Sequence, residues 1–481
     1  MDATAALRVA EKMYAELVSR RRDINEQERY FRGEQPLAYA SDEWSEVHKN
    51  RYKEFSDNWC GVVGSAPAER LGIRSFSLDD DSFTSDAEKA LWLDWERNEG
   101  GAQASQGFLT STIAKRSFAL VWGDANDEPM LSWEHPSQVI VGYDPETRER
   151  TAAVKAWSDD ETEFLTLYTA DEVFKWHRST VAGVPIGGKT PAGIDVIAKW
   201  DGGGWEPRQS PSDDTWPIRN PLGEVPVVEY ANRPMLGGEP LSDIDGTIAM
   251  QDAVNMLWAY LFVAADYASM PARVVMGQEP PKIPVLDENG VKVGEKDVDI
   301  QTLKKGRMLW LTGQSTSISQ WDAAKLDVFT DTINVAVKHI AAQTKTPIYL
   351  IHGELGNVNG ETLTGLDAPL VSKVQQAQEF YRRPVRDTFA LMAKVRGDDS
   401  LAAQARVGSI RWNDPAVHSP SQLADAASKD RELGLPLASI LENRYGYSQP
   451  QIDRIMQQIR DEQTDPYLAK LAAKDAASLG M

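Results

Sequence analysis

The apolar positions of the first thirty residues recur near helical spacing. Leu7, Met13, Tyr14, Leu17 and Val18 share a face, which predicts a helix over 2–32, broken by Gly33 to Ala40. Helices are also predicted over 53–71, 85–98 and 102–117, with the run Asn98 to Gly101 stopping the third of the four. From Phe118 to Tyr230 the pattern changes to short β-branched and aromatic runs. Strands are predicted at Phe118–Trp122, Val139–Tyr143, Ala152–Trp157, Glu163–Tyr168 and Val173–His177, with turns such as Asp144–Glu146 between them. Residues 178–224 hold many Gly and Pro and read as a hairpin with long loops.

The second half is helical with one β-rich interruption. Ser242 to Ala268 predicts a long helix. Its stripe of Val254, Leu257, Trp258, Leu261 and Ala265 is widened by Phe262 and Val263, so burial on more than one side is expected. Pro280, Pro281 and Pro284 bar its continuation. Ile283–Leu286 and Val291–Val293 flank Asn289-Gly290, the strongest hairpin signal in the chain, and strand-like pieces follow to Trp310–Leu311 and Ile318–Trp321. Leu326 to Thr344 predicts another helix, with Phe329, Ile333, Val337 and Ile340 on one face and Thr346-Pro347 ending it. Ile348 to Gly360 predicts a loop. Glu361 to about Arg396 predicts a very long helix, kinked where Pro369 and Pro384 remove backbone hydrogen bonds. The tail from Ser419 to Met481 predicts at least two more helices, and no internal repeat is visible.

Composition narrows the classes. A chain of 481 residues has room for two to four domains of ~100–200 residues each. With 51 basic against 72 acidic side chains the net charge is −21, which excludes gripping DNA with clustered Lys and Arg and leaves guiding or tolerating it. The run Arg20 to Arg22 reads as a solvated face near a helix end. One cysteine, Cys60, excludes a disulfide scaffold, fits a reducing compartment and reads as a buried small side chain. Met1 to Arg22 lacks the apolar core of a signal peptide, and the most apolar run, Ala253 to Ala265, is too short for a bilayer. The expectation is a protein soluble and intracellular when made, without a membrane partner. The 15 tryptophans point to cores or subunit contacts.

Catalytic chemistry is sparse. Gly183, Gly188, Lys189 and Thr190 match the phosphate-loop spacing G-x-x-x-x-G-K-[ST], whose mechanism needs a helix opening at the lysine. Pro191, Gly193 and Gly202 to Gly204 leave room for a turn and a strand only. No two of the six histidines stand at metal-ligand spacing; His135 reads as a turn residue and His339 as a satisfied or solvated helix residue. The acids Asp79 to Asp81 read as a solvated loop, and Gly64-Ser65 lacks the spacing of a nucleophile elbow. No catalytic residue, metal site or cofactor is expected.

Several stretches keep one order along the chain: Tyr30 to Leu37, Asn58 to Cys60, Ala68 to Leu71, Glu134 to Val139 with Asp144-Pro145, Asn220 to Gly223, Pro226 to Val228, Ala231 to Pro234, Gln251 to Ala253, Thr344 to Pro347 and Gly360-Glu361. Together they resemble the SPP-type (Bacillus phage-like) portal proteins of tailed bacteriophages, as found in actinobacterial phages, over about residues 30 to 400. The insert at 178–217 and the tail after about 420 depart from the pattern. The resemblance implies an α+β chain with the phage portal fold: an α/β wing (1–241), a first stem helix (242–276), a small β-containing clip (277–324), a second stem helix (325–346), a tunnel loop (347–360), a long kinked helix returning to the wing (361–418) and a helical crown (419–481).

It also implies a ring-shaped homo-oligomer, with twelve copies expected, at one capsid vertex of the virion. The ring is the channel for double-stranded DNA in packaging and ejection, assembled in the bacterial host cytoplasm. Implied partners are the terminase large subunit, which as the packaging ATPase supplies the energy, the head-completion adaptor, and the major capsid and scaffolding proteins. Tunnel-loop residues would be Ile348, Tyr349, Leu350, His352, Glu354, Asn357 and Asn359. Asp243, Asp245, Asp327, Asp331, Lys338 and Lys345 are candidates for the stem's channel side, and Asp287, Glu288, Asn289 and Lys292 for clip contacts. Twelve copies would carry twelve times −21, roughly −250, around one axis, which disfavours adhesion of the phosphate backbone. Two other readings compete: a nucleotide-using enzyme built on Gly183–Thr190, and a different self-assembling head or tail component without a channel.

Overall fold

The computed structural model describes residues 1–37, 55–78, 85–159, 162–179, 204–209, 215–269, 273–276, 282–286, 291–297, 308–311, 317–320, 325–352, 360–447 and 449–464. The chain forms two units. The larger gathers Met1–Arg32, Cys60–Gly246 and Thr344–Met481; the smaller gathers Gly33–Trp59 and Thr247–Gln343.

In the larger unit, helix α1 (Ala3–Arg32) buries Ala6, Ala10, Met13, Tyr14 and Leu17, the stripe its sequence sets out. Arg20 to Arg22 lie in mid-helix and not at its end; Arg20 pairs with Glu16, and Arg21 donates to the Ser137 carbonyl at 2.9 Å. Helix α2 is shorter than predicted. It spans Trp59–Ala68, and residues 55–58 before it are not helical. Strand β1 (Ile73–Ser77) follows, then α3 (Asp86–Arg97), opened by a capping box between Ser85 and Glu88. Gly100 and Gly101 open the next helix, α4 (Gly100–Ala114), where the sequence pattern has them end the one before. A Cβ at Gly100 would overlap the Trp95 ring, and one at Gly107 the Trp133 ring, so close packing selects both glycines. Lys115, at φ 71°, ends α4, and β2 begins at Arg116, inside the predicted helix.

Strands β2 (Arg116–Gly123), β3 (Pro129–Glu134), β4 (Val139–Tyr143), β5 (Arg150–Ser158), β6 (Thr162–Tyr168) and β7 (Glu172–Ser179) follow. The short β8 (Glu206–Pro207) and β9 (Ile218–Arg219) both pair with β7, and β10 is Val227–Ala231. They form two antiparallel sheets, β10-β2-β3 and β4-β5-β6-β7-β8. The second takes the α1 stripe on its face: Ala6, Ala10 and Leu17 join Ile140, Val154, Leu165, Phe174 and Trp176 in one buried cluster. Residues 180–203 and 79–84, with the Gly183–Thr190 motif and the Asp79–Asp81 cluster, lie outside the described residues.

A 3-10 turn at Asp245–Thr247 leads into helix α5 (Ile248–Ser269) of the smaller unit, six residues later than predicted. By length and composition alone, 245–266 could cross a membrane, which the thirteen-residue reading missed. Yet Gln251 and Asn255 are buried on it and hydrogen-bonded to the residue 55–59 strap, so it reads as a core helix. Trp59 N donates to Gln251 Oε1 at 2.7 Å and Asp57 N to Asn255 Oδ1 at 3.0 Å. The Trp258 indole donates to Asp57 Oδ2 at 2.8 Å, and Phe55 meets Phe262 edge-on at 5.0 Å. Strand β11 (Arg273–Met276) already stands before the prolines. It pairs with β14 (Met308–Leu311) in parallel and with β15 (Ser317–Gln320) antiparallel. β12 (Lys282–Leu286) and β13 (Lys292–Asp297) form the hairpin ladder that Asn289-Gly290 predicts. Helix α6 is Asp327–Thr344.

Back in the larger unit, Ile348–His352 forms a short helix, α7, where a loop was predicted. Helix α8 (Gly360–Val395) runs through Pro369 and Pro384. Its Leu370, Val374, Tyr381, Val385 and Phe389 are fully buried among Phe108, Tyr230, Trp95 and Phe76. Phe108 stacks on Tyr381 at 5.0 Å and Phe76 on Phe389 at 4.1 Å. Burying each such ring contributes about 1.5–3 kcal/mol. The chain continues through α9 (Asp399–Ala405), β16 (Ser409–Trp412), α10 (Pro420–Glu432), α11 (Leu437–Asn443) and α12 (Gln449–Thr464). β16 pairs antiparallel with β1, joining Phe76 to Ile410.

Candidate functional site

The residues singled out in the sequence fall at three places. On α6, Ile333, Ala336, Val337, Ile340 and Ala341 are buried. The opposite face carries Val328, Asp331, Val335, Lys338 and Ala342 at alternating spacings of three and four, all exposed. Val328 and Val335 are 60% and 52% exposed, alternating with the charged Asp331 and Lys338. Asp327 and His339 are exposed on the same helix, and Lys345, at φ 58°, is exposed just beyond it.

Asp243 and Asp245 are corrected as stem acids. Both precede α5, and the Asp243 side chain is only 2% exposed, held by Lys373 at 3.1 Å and Arg233 at 3.4 Å. Asp245 pairs with Lys115 at 3.6 Å and accepts from Gln27 at 2.6 Å. Burial pushes the Lys373 ammonium below its usual range despite the Asp243 carboxylate. Lys373 also donates to the Thr344 carbonyl at 3.3 Å, which satisfies a helix end.

The hairpin β12–β13 exposes Val285, Val291 and Val293 beside Lys292. Its turn, with Asp287, Glu288 and Asn289, lies outside the described residues. So do Glu354, Asn357 and Asn359 of the predicted tunnel loop, and nothing is described of the His352 side chain. Ile348 is half-buried and Leu350 39% exposed, while Ile351 beside them is buried. Tyr349 is half-buried: its hydroxyl donates to Asp367 Oδ1 at 2.5 Å and accepts from Arg70 at 3.3 Å. The Tyr349 hydroxyl is therefore committed within the subunit, while its ring stays partly exposed.

Sequence reasoning also missed Arg70 and Glu224. Glu224 gathers Arg150 at 3.1 Å, Lys394 at 3.2 Å and Arg406 at 2.6 Å, and Asp387 shares Arg150 and Arg406. Burial opposes its charge, but the Arg406 hydrogen bond and the three cations outweigh burial and hold the carboxyl below its usual range. Only the lone Gly223-Glu224 after a family-like Asn220-Pro221 could have pointed there. Cys60 is fully buried, and His135 bridges Ser137 at 2.7 Å and Glu28 at 2.6 Å. Among the described residues no three of His, Cys, Asp and Glu gather as metal ligands would.

Comparison with known proteins bears on these surfaces. The portal protein of Mycobacterium phage D29 is 24% identical over 382 residues, covering 75% of this chain and 70% of that one. The portal protein of Mycobacterium phage L5 is 23% identical over 382 residues, covering 75% and 69%. A chain in the solved virion of a native gene transfer agent (GTA) particle superposes with a TM-score of 0.36 at 11% identity, covering 79% of this chain and 86% of that one. The family described as "Phage portal protein, SPP1 Gp6-like" matches residues 11–465, from within α1 to the end of α12. With relatives of that name in two actinobacterial phages and a family match along nearly its whole length, this chain belongs to the SPP1 Gp6-like phage portal proteins, structural components of the virion and not enzymes.

Proposed function

We propose that copies of this chain, twelve in number, close into a ring at one capsid vertex and form the channel through which double-stranded DNA is packaged and ejected. The observation that carries this reading is the family match over 11–465. Closed rings arise from head-to-tail contacts between unlike surfaces of identical subunits. In this reading the larger unit supplies the wing, with α8 returning to it and α10 to α12 forming the crown. Helices α5 and α6 are the stem, and 277–324 between them, with β12 to β15, is the clip; β11 (Arg273–Met276) stands where the first stem segment is expected to stay helical. The clip hairpin around Lys292 and residues 287–289 docks the terminase large subunit first and the head-completion adaptor later. The wing and crown meet the major capsid and scaffolding proteins during assembly in the host cytoplasm.

The exposed Asp327 and Asp331 would keep DNA from settling on the wall, with Lys338 and Lys345 offering isolated phosphate contacts. The segment from Ile348 to Gly360 would pass closest to DNA, with Tyr349 anchoring it. Electron microscopy of the purified protein at high concentration tests the reading. Top views with a central hole and twelve lobes are expected; particles without a channel, even with capsid and scaffolding proteins supplied, would overturn it.

A further inference from the structure

Arg70 stands two residues beyond α2, in a stretch of family resemblance to which no role has been attached. Its guanidinium grips Asp367 with both ends, Nη1 to Oδ2 at 2.9 Å and Nη2 to Oδ1 at 3.2 Å. The same group donates to the Pro415 carbonyl at 3.1 Å and to the Tyr349 hydroxyl at 3.3 Å, and Tyr349 closes the triangle by donating to Asp367 at 2.5 Å. The Arg70 side chain is 14% exposed and that of Asp367 7%, so water screens the pair little. Tyr349 lies on α7 and Asp367 in the second turn of α8. The two ends of the chain that flank residues 353–359 are thus held by one cation. Lys373, more than a turn further along α8, takes the Thr344 carbonyl and pins the approach to α7 as well.

We propose that Arg70 is the positioning residue for the chain ends at His352 and Gly360. It makes α7 and the start of α8 one rigid base and fixes how the two ends stand relative to each other. The inference rests on the reading of that segment as the part nearest DNA. A planar, permanently charged fork is needed for it: a lysine could reach one oxygen of Asp367 but not hold both while also meeting Tyr349 and Pro415.

Hydrogen exchange on the full-length protein without DNA tests the base by itself. Four proteins are compared: wild type, Arg70→Ala, Tyr349→Phe and the double variant. Arg70→Ala should speed exchange in peptides covering 348–352 and 360–367 about tenfold. Tyr349→Phe should have a smaller effect, and the double variant should not exceed Arg70→Ala, because both act on one clamp. Peptides of the Phe108 core should keep wild-type exchange. Wild-type exchange at 348–352 in both single variants, or strictly additive effects, would overturn the proposal. Should Arg70→Ala fail to fold, Tyr349→Phe decides alone, local loosening supporting the clamp and wild-type exchange refuting it. In assembled particles with normal ring content, DNA retained per capsid should fall severalfold in Arg70→Ala; unchanged DNA content would refute the positioning role. Rings without a channel would sink the portal reading while leaving the exchange result standing.

Discussion

Different means hold each of the two units together. The larger unit has a continuous aromatic core in which Phe76, Trp95, Phe108, Tyr230, Tyr381 and Phe389, drawn from five stretches of sequence, share one cluster. The smaller unit adds backbone ladders and side-chain amides to the short apolar stripes of α5 and α6. Gln251 and Asn255 take the backbone of the residue 55–59 strap, while valines on its hairpin and on α6 stay exposed. Packed aromatic cores give rigidity to a subunit by itself. A unit with exposed β-branched faces has apolar surface left for other molecules to cover. In the proposed ring those molecules are neighbouring subunits and docking partners.

Substitutions can break this contrast. The largest effect is expected for Phe108→Ala, about 3–5 kcal/mol of stability lost by the larger unit, read from the urea unfolding midpoint. Second is Glu224→Gln, which leaves Arg150, Lys394 and Arg406 undercompensated and should cost about 2–4 kcal/mol. Because the Glu224 carboxyl is held below its usual range, its contribution is present above the ordinary carboxylate range and lost as pH falls through the depressed value. Unfolding midpoints of wild type and Glu224→Gln should therefore converge on acidification; a constant gap would show that packing, not charge, is at work. Gln251→Ala should cost about 1–2 kcal/mol and speed exchange of the Trp59 amide while leaving the Phe108 core protected. Smallest is Val335→Ser, within about 0.5 kcal/mol on the isolated subunit. If that face is a subunit contact, the same change lowers the fraction of rings in sedimentation; an unchanged fraction would remove α6 from the contact.

Elements with their own periodicity were legible in the sequence: α1, α6, α8 and the strands from Val139 to His177 stand where apolar spacing sets them. What was not legible depends on distant partners. β3 opens on a proline and alternates over only six residues, yet is a strand because β2 pairs with it. Gly100 and Gly107 look like breakers in one dimension and are contact points for Trp95 and Trp133 in three. Asp243 reads as a solvated acid until Lys373, 130 positions away, is seen beside it. Of the tunnel-loop candidates, Tyr349 reads as a loop residue by pattern; the Arg70–Asp367 pair that engages its hydroxyl is distant in sequence.

The pairing of β1 with β16 has a consequence for how the chain is made. Phe76 leaves the ribosome about 330 residues before Ile410, its partner across the ladder. At ~5–20 residues per second, β1 waits roughly twenty seconds to a minute for its neighbour. The described helices of the smaller unit, α5 and α6, are synthesised within that interval. The ladder therefore cannot form until Ser409–Trp412 is made, and a nascent subunit cut short before Ser409 lacks one edge of its core.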